Sequence, residues 1–179
     1  MISKTNIDIN SIYAFLLDKK RTEIKSWMEY LSSLHSKISL SSDKEIKSIK
    51  IRNACDICLH LRGIELFKEG KKLSDKELPR YQLKMGAQQF SYPKKLNFSE
   101  LAPDSILHTM SGKDNNHLIV NFEEPISIDE IVVYSATGRR AQVNRTNFLS
   151  VELTYSDDSS EKVLDNHSFL MSNKNALAG

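Results

Sequence analysis

Apolar residues recur every seven positions in the first part of the chain, at Leu17, Ile24, Leu31 and Ile38, with Tyr13, Trp27 and Leu34 at most of the intervening steps. Lys, Arg, Glu and Ser fill the places between. This pattern predicts an α-helix over residues 11–38, capped by Asn10 or Ser11. Lys20 interrupts the seam. A coiled-coil seam and an ordinary amphipathic face diverge by only ~20° per heptad. Two readings therefore stay open: a homo-oligomer formed through residues 11–38, or a helix packed on its own domain. The polar stretch SLSSDKEIK (39–47) reads as a connector, so residues 1–47 are expected to form a helical segment with its linker.

Beyond it the period changes from seven to two. SIKIR (48–52) and CLHLRGIELF (58–67) read as strands, and Gly63 breaks the alternation of the second, which suggests a bulge or bend. Phe67 to Lys72 reads as a turn. Residues 74–117 are polar and irregular, with Pro79, Pro93 and Pro103, and a long irregular stretch is often functional. Strands return at 118–122, 128–134 and 148–155. In the last, Leu149, Val151, Leu153 and Tyr155 alternate with polar residues, one face dry and one wet. SDDSS (156–160) is a turn into a strand at 161–164, and residues 170–179 are expected to fray. The fold class is thus mainly β: an antiparallel β-sandwich over residues 48–179, preceded by an N-terminal α-helix.

Glycine and proline use sharpens this division. The first 62 residues contain neither, and all six glycines and four prolines follow. A net charge of +2 over 179 residues gives no reason to expect nucleic acid or an anionic membrane as partner. No apolar run reaches the ~20 residues of a bilayer span, and the N-terminus lacks a signal pattern, so a cytoplasmic location is expected. Cys55 and Cys58 form a C-x-x-C. A zinc site would need a second Cys/His pair at ligand spacing, and only His60 is near. The pair reads as two small, partly buried hydrophobes.

In order and spacing, three stretches resemble a known family. They are CLHLRGIELFKEGKKL (58–73), the run from Leu107-His108-Thr109 through HLIVNFEEPISIDEIVVYSATG, and RTNFLSVE (145–152) followed by Ser156-Asp157-Asp158. The chain resembles the galactose-binding-like jelly roll of discoidin-type (coagulation-factor type C) modules and fucose-binding lectins over about residues 48–165. There are departures. Leu107 stands in place of the family's Trp, and His117 or Leu118 in place of the next. Pro103-Asp104-Ser105 replaces an Asp-Gly. The closing Arg-rich strand has no counterpart after Leu164, so either 48–52 supplies an equivalent or the sequence is a piece of a longer protein. The strict fucose-lectin spacing is not met.

The resemblance implies a jelly-roll binding module without catalytic machinery. By it, His108 and Arg145 match the family's sugar-binding His and one Arg, and Arg139 or Arg140 the second. Asn144 and Asp114 join them as candidates from the residues themselves. Asn and Asp offer the donors and acceptors that sugar hydroxyls need, and Arg suits a carboxylate or phosphate. Tyr134 or Tyr92 could stack on a sugar face. Asp104 is the one weak metal candidate, for a structural calcium; no other cofactor is expected. The chain carries no G-x-S-x-G, Walker loop or H-E-x-x-H, and no pair of carboxylates facing a shared cleft is suggested. The expected function is a non-catalytic carbohydrate-binding module, part of or accessory to a polysaccharide-processing or glycosyltransferase protein. The alternative is a protein-interaction module using the helix and the sandwich surface.

Overall fold

A chain without Gly or Pro at its start can carry an uninterrupted helix, and α1 spans Ile9–Ser32. The computed structural model describes residues 9–32, 35–41, 43–55, 57–87, 98–101, 107–136 and 148–168. Contacts divide the chain into two compact units, 1–33 and 34–179. The helix ends before the expected Ile38. Residues His35–Ser39 instead form strand β1, with Ser36 and Ile38 buried and their neighbours exposed. A single apolar residue among five fits either period. Here backbone pairing and burial of Ile38 in the core decide for the strand. The sandwich therefore begins upstream of the expected boundary at residue 48.

The second unit is mainly β, with all strand pairs antiparallel. Its further strands are β2 (Ile46–Asn53), β3 (His60–Lys68), β4 (Lys71–Lys72), β5 (Tyr81–Met85), β6 (Leu107–His108), β7 (His117–Ile126), β8 (Glu130–Ser135), β9 (Phe148–Tyr155) and β10 (Ser160–Ser168). One sheet runs β1-β8-β3-β4, with β6 also paired to β3; the other runs β10-β9-β2-β7-β5. Where a bulge or bend is expected at Gly63, the pairing of β3 with β8 shifts register between Leu61 and Gly63. The expected turn is a tight hairpin, with Glu69 and Gly70 both at positive φ, as a two-residue connection requires. The stretch 74–117 is less irregular than its sequence suggests, since it contains β5 and β6.

The inward faces of both sheets supply one continuous core. Ile64, Leu66, Ile131 and Val133 of the first sheet join Ile49, Ile51, Leu118, Val120, Val151 and Leu153 of the second. This shared burial makes a β-sandwich. Phe98 is fully buried in the same cluster, its ring edge-on to Tyr81 at 5.1 Å. Among the described residues, no helix is long and apolar enough to cross a membrane.

Connections differ between the two ends of the sandwich. At one end lie the turns 69–70, 127–129 and 156–159 and the connections 40–45 and 73–80. At the other, β2 passes to β3 through 54–59, β5 to β6 through 86–106, and β8 to β9 through 136–147. The 86–106 connection leaves and returns at that end, but its residues 98–101 pack at the opposite one, where Ser99 bonds with Asp75 and Lys72.

Candidate functional site

The end with the long connections is tied together by backbone and side-chain bonds. Ala136 N donates to His60 O at 3.4 Å, and Ala54 N donates to Phe148 O at 3.1 Å. Ala136 and Phe148, the described residues flanking 137–147, therefore both sit at this end. Asn116 is fully buried, and its Nδ2 donates to Asn53 O at 2.7 Å and Ile57 O at 3.1 Å. One amide side chain thus joins the start of β7 to the β2–β3 connection. Thr109 closes the cluster: its N donates to Leu59 O at 3.1 Å, and its Oγ1 accepts from Leu59 N at 2.9 Å.

Of the sequence-predicted site residues, Asp114 is exposed at this end, in the turn where Asn115 N and Asn116 N donate to Gly112 O. His108, expected to face a sugar, is only 5% exposed, and its ring lies against that of His60 with centroids 3.7 Å apart. It lies beneath the surface because β6 pairs with β3, placing His108 opposite His60. Arg139, Arg140, Asn144, Arg145, Asp104 and Tyr92 lie outside the described residues.

Tyr134 is described, and its ring does not form an open stacking platform. Its hydroxyl donates to Glu65 Oε2 at 2.7 Å, the Arg62 guanidinium sits 5.5 Å over its ring, and His35 lies 5.4 Å away. Glu65 is itself buried and receives Lys72 Nζ at 2.7 Å; Lys72 also donates to Ser99 O at 2.9 Å. Burial lowers the pKa of Arg62. Burial, then the bond to Glu65 and its charge, push the Tyr134 hydroxyl up to about 12. A raised pKa means that the fold favours the neutral phenol. Its contribution to stability is therefore complete below the unfolded value of about 10 and is lost as pH rises through about 12. In a tyrosinate absorbance titration, the difference between wild type and Tyr134→Phe is expected to have its midpoint near pH 12; a midpoint near that of free tyrosine would contradict the network.

Sequence reasoning missed a second constellation. Cys58, His60 and His108 are all buried, and their Sγ and ring nitrogens lie within 4.8 Å of one another. Alternation along the chain puts Cys58 and His60 on one side of the strand path, and the β3–β6 register puts His108 opposite His60. Leu59, Leu61 and Leu107 point the other way, into the core. Cys58 Sγ is 3.2 Å from Ser111 Oγ, whereas Cys55 is exposed. The C-x-x-C pair is thus split: one thiol faces solvent and the other faces two imidazoles. The available signal was Cys-x-His in a strand rather than Cys-x-x-Cys, with its third member 48 residues beyond His60 in a second strand.

No family model, no curated protein and no solved structure matches the chain.

Proposed function

We propose that the chain is a non-catalytic carbohydrate-binding module of jelly-roll type, part of or accessory to a polysaccharide-processing or glycosyltransferase protein. One observation supports this reading above others: the arginine-bearing stretch 137–147 is flanked by Ala136 and Phe148, which are bonded to His60 and Ala54 at the end of the sandwich that also carries the exposed Asp114. Binding loops on a fixed scaffold are a common arrangement for recognition. The sequence 137–147 contains Arg139, Arg140, Asn144 and Arg145, and Asp114 is exposed. Arginine forks suit the carboxylate or phosphate of an acidic polysaccharide, and Asn and Asp suit its hydroxyls.

A glycan-array screen of the purified chain beside Arg145→Ala tests the proposal. Wild type is expected to bind one class of acidic glycan, and the variant to bind it about tenfold or more weakly, the loss of one charge-assisted hydrogen-bonding group.

A second reading, an interaction module centred on α1, is favoured by the helix's exposed apolar side chains. Tyr13, Leu16, Leu17 and Ile24 are all at least half exposed. Silence on the array, with concentration-dependent oligomers in sedimentation, would favour that reading instead.

A further inference from the structure

The geometry points to a transition-metal site of zinc type, formed by Cys58 Sγ and one ring nitrogen each of His60 and His108. This inference is independent of the carbohydrate reading. Three arguments carry it. The first is donor chemistry: one thiolate and two imidazoles are a borderline-soft set that suits Zn²⁺, and hard cations such as calcium prefer all-oxygen shells. The second is placement. The three donors come from one side of a two-strand ladder, with His60 and His108 directly opposite and Cys58 two residues before His60. Their donor atoms already lie within 4.8 Å of one another. Tetrahedral zinc, with Zn–S near ~2.3 Å and Zn–N near ~2.0 Å, needs its ligand atoms roughly 3.5 Å apart, so rotamer adjustment closes the site without moving the strands. The third is the surrounding support. The strands that carry the ligands are held by the paired bonds between Leu59 and Thr109, and Ser111 Oγ lies 3.2 Å from Cys58 Sγ, where it can donate to a thiolate.

Binding replaces the thiol proton of Cys58, which leaves to solvent, and requires both imidazoles in their neutral form. Metal affinity therefore falls as pH is lowered. Three protein ligands leave a fourth position for water or an anionic group. Ser111 is exposed, whereas the three ligands themselves are buried. The site sits at the end of the sandwich where β8 finishes, since Ala136 N donates to His60 O. It either fastens that end structurally or presents an electrophile there.

The test uses Co²⁺ as a spectroscopic stand-in for zinc on the reduced, chelator-treated chain. The Cys55→Ser variant removes the exposed thiol and leaves Cys58 as the only sulfur nucleophile. Wild type and Cys55→Ser are both expected to bind one equivalent, with a thiolate-to-cobalt charge-transfer band and the strong visible bands of tetrahedral cobalt, both displaced by one equivalent of Zn²⁺. Ser111→Ala is expected to weaken binding about tenfold. Absence of the charge-transfer band from wild type overturns the site. So does its loss in Cys55→Ser, which would place the ligating thiol at Cys55. Because the decisive variant is at an exposed position outside the cluster, the result does not depend on whether Cys58 or His108 substitutions fold.

Discussion

Gly86→Ala is expected to lower the melting temperature by about 10 °C, equivalent to a loss of about 3 kcal/mol. A Cβ built on Gly86 would lie 2.2 Å from Asn115 O, 2.4 Å from its carbonyl carbon and 2.7 Å from its Cα. These are main-chain atoms, and no rotamer change moves them. Asn115 is also fixed in place, because its N and the N of Asn116 both donate to Gly112 O. On the other side, Gly86 N donates to His117 O and Met110 N donates to Ala87 O. An added methyl must either detach the end of β5 from β7 or push out the 112–116 turn. Gly63→Ala is the internal contrast. There the new Cβ would meet Leu101 Cδ2 at 2.5 Å, the end of a side chain that can turn away, and a cost of about 1 kcal/mol is expected. A Gly86→Ala protein that melts like wild type would show that the approach of β5 to this turn is wrong.

Asn116→Ala is expected to cost about 2–3 kcal/mol, measured as a shift in the urea midpoint at unchanged slope. The lost amide serves two carbonyls, Asn53 O in the interior and Ile57 O nearer the surface. Removing a donor shared by two acceptors leaves both to be desolvated without that bond, which is costlier than the net value of either hydrogen bond. Asn116→Asp keeps the shape and removes the donor, so it should be no better than Ala. A cost below about 0.5 kcal/mol for both would mean that the β2–β3 connection does not depend on this clamp. The consequence reaches the proposed metal site, since Ile57 immediately precedes Cys58.

How much of this was legible in the sequence depended on how strongly each element's pattern was set by burial. β9, with four alternating apolar residues against one core, matches its sequence-derived limits, and the register shift at Gly63 and the hairpin at Glu69-Gly70 follow from residues whose backbone freedom is local. β1 has one core residue, Ile38, and its position seven after Leu31 fits a helix equally well. β5 is an edge strand with Leu83 37% exposed, so its alternation of Tyr81, Leu83 and Met85 never stood out from its polar surroundings. The candidate site divides in the same way. The polar character of the loops is visible in sequence. The meeting of Cys58 and His60 with His108 depends on a two-residue strand, β6, whose pairing no local pattern announces. Reading Cys55 and Cys58 as a pair hid the alternative, because spacing in a strand favours positions two apart rather than three.

The most direct test is binding of the purified chain to an array of neutral and acidic glycans, with Arg145→Ala alongside and its folding checked by thermal melting. Wild type is expected to retain one acidic glycan class, and the variant, melting normally, to lose it. Equal binding by the two proteins would contradict the placement of the ligand on residues 137–147, and failure of wild type to bind any glycan would contradict the carbohydrate reading itself.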